Sequence, residues 1–274
     1  MAATAEIGII GGSGFYTFLD EPERVAVETP FGAPSADLAI GEVAGRRVAF
    51  LPRHGEQHQH PPHRVNYRAN LWALRSVGVR QVLGPCAVGS LREEYGPGTL
   101  VLPDQVIDRT WGRAHTVYDS EGPVVHVSLA DPYCPRGRQV VLDSAGADTG
   151  VPVDGGTLVV VNGPRFSTRA ESHWHTALGG TVIGMTGMPE ASIARELALC
   201  YTTVAVITDH DAGVDQATAV SHAEVLKIFG ENIDRLKVLL RRVIERLPAA
   251  EPDADATCSC RRALDGLPLP FELP

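Results

Sequence analysis

The chain has 274 residues, 44% of them hydrophobic, and carries a net charge of −9 from 24 basic and 33 acidic side chains. That length fits one large α/β domain or two small ones. The acidic balance, with no basic stripe, argues against a protein that grips a nucleic-acid backbone, and no apolar run reaches the roughly 18 residues a membrane helix needs.

The N-terminal stretch Met1 to Glu6 has no basic region ahead of its apolar strand, so no signal peptide is evident and the cytoplasm is the expected compartment. Ile7 to Ile10 predicts a first strand ending in Gly11-Gly12-Ser13-Gly14. Val48 to Leu51 predicts a second, ending at Pro52-Arg53-His54-Gly55. His63 to Val77 has helical spacing through Tyr67, Leu71 and Leu74. Val79 to Leu83 reads as a strand running into the small-residue loop Cys86-Ala87-Val88-Gly89-Ser90. Thr157 to Val161 is another strand, stopping at Asn162-Gly163-Pro164. Val182 to Met185 follows, then a helix from Pro189 to Cys200 with Pro in its first turn. Val204 to Ile207 reads as a buried strand before Thr208-Asp209-His210-Asp211. Ser221-x-x-Glu224 has the form of a capping box, opening a helix whose Val225, Phe229, Ile233, Leu236, Leu240, Val243 and Leu247 keep helical spacing.

Strands alternating with helices give an α/β fold. If the strands are parallel, their terminal loops gather at one edge, where ligands bind in such sheets. Residues 1–248 are expected to form one domain. Residues 249–274 are expected to be an acidic, Pro-containing linker and a tail that docks on its own surface or a neighbour's. The five cysteines, at 86, 134, 200, 258 and 260, do not make a disulfide framework. Cys258-Ser259-Cys260 is read as a reduced, inert pair, with a redox pair or a tail staple as alternatives.

Several loops carry chemistry. Gly11 to Gly14 offers backbone N–H groups and the Ser13 hydroxyl to an anion. It has neither the glycine spacing of a dinucleotide site nor the lysine of a phosphate loop, and an ordinary tight turn explains it equally well. Arg53 offers a fork that can grip an oxyanion in a bidentate way. Near it stand His54, His58, His60 and His63, but Gly55 interrupts the His54–His58 pair, Pro61-Pro62 follows, and Glu56 is out of zinc-protease register. Phe166 can stack on a planar ligand; Arg165, Arg169 and Glu171 beside it read as a structural loop with a buried ion pair. Met185-Thr186 can put an apolar contact and a hydroxyl at a helix start. Thr208 to Asp211 alone reads first as a turn. If the strand continues through it, Asp209 and Asp211 face the same way, and their company favours a pair of acids at a ligand site.

Together these segments resemble the trimeric purine nucleoside phosphorylase family, in particular its methylthioadenosine phosphorylase branch. The matching stretches are Ile9 to Gly14, Arg53 to Gly55, Val65 to Leu74, Gly89 to Leu91, Asp104 to Thr110, Gly163 to Glu171, Met185-Thr186 with Pro189-Glu190, and Thr208 to Asp211, in family order across about residues 6 to 245. The resemblance implies a single α/β domain with a central mixed, partly barrel-like sheet flanked by helices. It implies phosphorolysis of S-methyl-5′-thioadenosine to adenine and 5-methylthioribose 1-phosphate, a step of purine and methionine salvage, with inorganic phosphate as co-substrate and no metal or cofactor. Phosphate would sit among Ser13, Arg53, His54, Cys86, Ala87 and Thr186, and the ribose on Met185. The base would meet Ala87, Phe166, Ser167, Asp209 and Asp211. His126 would be lent by a neighbour in a homotrimer.

The residue types suit that chemistry. The purine leaves readily only if N7 is protonated, which makes Asp209 the expected general acid, with Asp211 disfavouring a second negative charge beside it. Two acceptors match the N6–H and N7–H donors of a 6-aminopurine, whereas a 6-oxo purine would leave buried polar groups unpaired at about 1–3 kcal/mol each. Two positions depart from the branch. Cys86 stands where Thr is usual, and a thiol is a weak donor. His222 stands where an apolar residue lines the methylthio pocket, with Val225 one turn on, so adenosine or another 5′-substituted adenosine is the alternative substrate. A helix-start side chain that merely points to solvent is the plainer alternative for His222. A metal-dependent hydrolase built on the histidines is a distant alternative, and a non-catalytic nucleoside binder would need Arg53, Thr186 or Asp209 to be missing.

Overall fold

The computed structural model describes residues 4–12, 15, 18–214, 220–249 and 258–274. Ser13 lies outside them. The chain opens with β1 (Ile7–Gly11), β2 (Glu23–Val25), β3 (Leu38–Val43) and β4 (Arg46–Pro52). Helix α1 (Tyr67–Ser76) leads to β5 (Gln81–Leu83), β6 (Cys86–Ser90), β7 (Leu100–Leu102) and β8 (Gln105–Arg109). Then come α2 (Pro135–Ser144), β9 (Val153–Asp154), β10 (Thr157–Val161), α3 (Arg169–Ala177), β11 (Gly180–Gly184) and α4 (Gly187–Glu196). The last elements are β12 (Cys200–Thr202), β13 (Ala205–His210) and α5 (His222–Arg246).

The expected α/β fold with a mixed sheet flanked by helices forms, its strands arranged as two mixed sheets. The first has the order β12-β5-β1-β4-β3-β2, the second β8-β10-β11-β6-β13-β7-β9. They are joined by two strand pairs that run from one sheet into the other. β5 pairs with β12 in parallel, and β6 pairs with β13 in parallel. Between them the ladder is carried on by Gly84 N–H to Thr202 O at 2.8 Å and Cys86 N–H to Val204 O at 3.1 Å. Cys86 to Ser90, expected as a loop, is therefore an interior strand. Its small residues suit a position between β11 and β13.

Two expectations about helices change. Ser221 caps α5 in position but its side chain makes no capping bond, so the Ser221–Glu224 box does not form. The box that does form is Thr168–Glu171 at the start of α3, in a stretch read as loop. Arg165 grips Glu171 with both terminal nitrogens, at 2.8 and 2.7 Å, and the pair is solvent-facing, not buried. The predicted helix from Pro189 to Cys200 ends at Glu196, and Cys200 instead starts β12.

Packed apolar side chains from β1, β4, β5, α1 and α4 fill one side of the molecule, and α5 packs Leu236, Leu239, Leu240 and Val243 against β13 and its neighbours on the other. The tail docks on its own chain: Phe271 stacks on Tyr118 at 5.4 Å and meets Trp72 edge-on at 5.7 Å. Among the described residues, no helix is long and apolar enough to cross a membrane.

Candidate active site

One cavity of about 570 Å³ opens where the first sheet runs into the second. It takes in almost every site residue expected from sequence: Arg53, His54, Cys86, Ala87, Phe166, Ser167, Met185, Thr186, Asp209, Asp211, His222 and Val225 all line it. Its walls are strand faces as well as loop ends, because β6, β11 and β13 lie side by side beneath it. Volume and lining suit a small ligand with an apolar body and a few polar handles.

At one end Arg53 is buried, and its fork is already taken. Nε and Nη2 donate to the two Glu190 carboxylate oxygens at 2.8 and 2.9 Å, Nη2 also to Ile10 O at 2.9 Å, and Nη1 to Pro85 O at 3.2 Å. Of a guanidinium's five N–H groups, one on Nη1 remains unassigned among the described residues. The expected bidentate grip on an anion is therefore not available; Arg53 can offer a single donor. Burial works against its charge, but Glu190 outweighs that and raises its pKa. Glu190 also accepts from the Tyr201 hydroxyl at 2.6 Å. Sequence reading gave Glu190 no role, although an acid in an otherwise apolar helix start was the available signal.

His54 sits beside Arg53. Burial, with the Arg53 charge second, lowers its pKa to about 4, so it is neutral near pH 7. Its Nδ1 is 2.8 Å from the His60 carbonyl, which can only accept. Nδ1 thus carries the proton and Nε2 is an acceptor, suited to a P–OH and not to a bare phosphate oxygen. Burial pushes the Cys86 thiol up to about 12, so it stays protonated and uncharged. Thr186 precedes α4 with no side-chain capping bond, which leaves its hydroxyl free for the cavity.

The acid pair is set by strand pairing. β13 keeps register with β6 from Ala205 to Ile207, then shifts so that Asp209 lies opposite Gly89 and His210 opposite Ser90. The irregularity at Thr208 re-aims the strand end, and the turn read from the local sequence is replaced by continued strand. A Cβ on Gly89 would lie 3.0 Å from Asp209 Oδ1 and 3.6 Å from Asp211 Cβ, so both acids pack closely over a residue where a side chain would crowd the Asp209 carboxylate. Asp211 is 3% exposed and its Oδ2 has no hydrogen-bond partner among the described residues, an acceptor left for a ligand.

Burial raises the Asp209 pKa to about 6; the Asp211 charge, the cause expected from sequence, adds a smaller contribution in the same direction. The Thr208 hydroxyl lies 2.8 Å from Asp209 Oδ2 and 3.2 Å from Val88 O. It has one proton to give. Directed to Asp209 it stabilises the carboxylate; directed to Val88 it leaves an acceptor for a protonated Asp209. The contact accommodates both states of an acid.

The other end is built differently. His222 and Val225, from the first turn of α5, line the cavity with Leu226, Phe229 and His58. His222 is exposed and faces the cavity mouth, so it is neither a purely solvent side chain nor a buried one. His126 lies on an exposed stretch away from this cavity. The histidine cluster does not assemble as a metal site: His54 and His58 stack at 4.4 Å, and among the described residues the only group of three or more potential ligands close enough to share an ion is formed by cysteines.

Residues 6–245 match the family model of the phosphorylase superfamily, and the chain belongs to that superfamily. It is a pentosyltransferase of that class. It is 60% identical to a purine nucleoside phosphorylase of Streptomyces coelicolor, over 98% of both chains. It is 54% identical to an S-methyl-5′-thioadenosine phosphorylase of Mycobacterium tuberculosis, covering 98% of this chain and 97% of that one. Its fold is that of a methylthioadenosine phosphorylase from an Antarctic soil metagenomic library, with a TM-score of 0.87 at 39% identity over 97% of this chain and 92% of that one.

Proposed function

We propose that this chain cleaves 6-aminopurine nucleosides by phosphorolysis, with S-methyl-5′-thioadenosine preferred. The observation that carries the reading is the pair Asp209 and Asp211 closed over Gly89, one with a raised pKa and the other with an orphaned buried acceptor. As the C1′–N9 bond breaks, Asp209 gives its proton to N7 and Asp211 accepts from N6–H. Inorganic phosphate enters beside the one spare Arg53 donor, the Thr186 hydroxyl and His54 Nε2, and forms the new bond to C1′ as adenine departs. Because Glu190 balances the Arg53 charge, hydroxyls and backbone amides carry much of the phosphate binding. Phe166 and Met185 supply the apolar faces that base and ribose need. The reaction needs no metal or redox cofactor.

A second reading, adenosine as the main substrate, is favoured by His222 at the cavity mouth and by the name of the Streptomyces relative. Val225, Leu226 and Phe229 beside His222 favour an apolar 5′ group. A panel of methylthioadenosine, adenosine, inosine and methylthioinosine, each with and without phosphate, separates the readings. Cleavage without phosphate, or equal turnover of amino and oxo purines, would sink the proposal.

A homotrimer in which His126 reaches a neighbour's pocket is part of the same reading. Trp111 is 75% and Val124 72% exposed on the stretch that carries His126, which suits a surface covered on assembly. Light scattering on the pure protein tests it; a monomeric enzyme of full activity would reject it.

A further inference from the structure

Four of the five cysteines are far apart in sequence and together in space. Cys134 is the N-cap of α2, Cys200 starts β12, and Cys258 and Cys260 belong to the tail. All are buried, and their four sulfurs lie within 4.8 Å of one another. We propose that Cys134, Cys200, Cys258 and Cys260 form a tetrathiolate site for one zinc ion, which fastens the tail to the body of the enzyme.

Three observations carry this. The first is spacing. Four sulfurs held tetrahedrally at the usual zinc–sulfur distance stand about 3.8 Å apart. Cys258 Sγ is 3.9 Å from Cys134 Sγ and 3.4 Å from Cys200 Sγ, so one sulfur approaches two others at the separation of a shared ion, not at that of a bonded pair. The second is the surroundings. The Gly137 N–H, in the first turn of α2, points at Cys134 Sγ from 3.4 Å. Arg261 Nε donates to Cys200 Sγ at 3.4 Å and Arg195 Nη2 to Cys260 Sγ at 3.7 Å. Neutral thiols are weak acceptors; two guanidiniums and a helix N-terminus aimed at sulfur are a shell for thiolates. The third is charge balance. Zinc binding releases four thiol protons and leaves a centre of charge −2, which Arg195 and Arg261 offset. All-sulfur tetrahedral ligation selects a soft, closed-shell ion and leaves no open position, so the site holds structure and does no chemistry.

None of the four sulfurs lines the nucleoside cavity, and the inference does not depend on which nucleoside is cleaved. What the ion joins is specific: β12, the α2 start and the tail that brings Phe271 onto Trp72 and Tyr118.

The test is elemental analysis of the full-length enzyme purified under mild reductant with neither chelator nor added metal. One zinc per chain is expected, released on titration of thiols with a mercurial, and Cys258→Ser should retain under a tenth of it. Replacement by cobalt should give the strong visible bands of a tetrahedral cobalt–thiolate centre. If Cys258→Ser does not fold, zinc content and the cobalt spectrum of the unaltered chain decide alone. Two intramolecular disulfides in the non-reduced protein, four freely reactive thiols without metal, or stoichiometric iron would each overturn the proposal.

Discussion

The pocket has a strand-borne half and a helix-borne half. Cys86, Ala87, Gly89, Ile183, Asp209 and Asp211 come from three adjacent strands or their ends, in a register set by backbone pairing on both sides. His222, Val225 and Leu226 come from the first turn of a helix whose N-cap side chain makes no capping bond. In the first half the functional groups are buried or half-buried and fixed by the ladder. In the second, His222 and Leu226 are exposed. The chemistry common to a family is expected where position is over-determined, and substrate preference where a side chain can change without disturbing a sheet. The most disruptive substitutions should therefore lie in the strand-borne half.

The largest effect is expected for Asp209→Asn. Loss of the proposed general acid should lower kcat/KM for a 6-aminopurine nucleoside by about 10²–10⁴-fold. The same variant has a stability signature. A folded pKa of about 6, above the ordinary carboxylate value, means the folded state keeps a proton that the unfolded chain has lost. Stability from this group is therefore lost as pH rises from about 4 to about 6 and stays lost above it. Asp209→Asn should be more stable than the parent by about 3 kcal/mol at pH 8 and no more stable at pH 4. Equal thermal shifts at both pH values would show that Asp209 is ordinary in the folded protein.

Gly89→Ala tests the geometry without touching an acid. The new methyl would stand 3.0 Å from Asp209 Oδ1 and 3.2 Å from Ile183 Cγ2, so the carboxylate must move. A shift of a few tenths of an ångström at the carboxylate should cost up to about 10-fold in kcat/KM, with roughly 1–3 kcal/mol of stability from overpacking. A variant of parental activity would mean that the acids are not held where the strand register places them.

Cys86→Thr should act at the other end of the same half. It supplies a hydroxyl where the protonated thiol is a weak donor, in a strand that accepts β-branched side chains. One added hydrogen bond is worth about 0.5–1.5 kcal/mol, so the KM for phosphate should fall about two- to tenfold with kcat little changed. A KM that stays the same would place phosphate away from Cys86.

The two halves also differ in how much of them the sequence made legible. Asp209, Arg53 and Thr186 were readable because each follows an apolar run and carries a group with few structural uses. What was missed depended on non-local pairing. Gly89 reads as one more loop glycine until β13 is laid beside it. The Glu190 partnership with Arg53 spans 137 residues. The cysteine cluster draws on three separate regions of chain. Cys86 to Ser90 looked like a loop because its small residues show no alternation of polar and apolar side chains, and the strand is held by pairing with β11 and β13. The two Ser/Thr-x-x-Glu segments that precede helices, Thr168–Glu171 and Ser221–Glu224, show the same limit. Only Thr168–Glu171 closes into a capping box, with Arg165 gripping the glutamate, and burial of the carboxylate is too slight to prevent that charge and its hydrogen bonds from lowering the Glu171 pKa to about 2.

The smallest effect is expected in the helix-borne half, and it settles the 5′ end. His222 is exposed at the cavity mouth, so a hydrogen bond from its ring to a 5′-hydroxyl competes with water and discriminates weakly. Replacing it with valine would extend the apolar surface of Val225, Leu226 and Phe229 toward the mouth. Methylthioadenosine should then gain over adenosine by about two- to fivefold in the ratio of kcat/KM values, with the gain lying in KM because the group stands far from the breaking bond. The absolute rate with methylthioadenosine should hold, since none of the strand-borne groups moves. A ratio unchanged by His222→Val would remove His222 from substrate recognition and leave the preference to Val225 and Leu226. A fall in kcat of the size expected for Asp209→Asn would erase the distinction between the halves, because it would tie the first turn of α5 to the proton transfer itself.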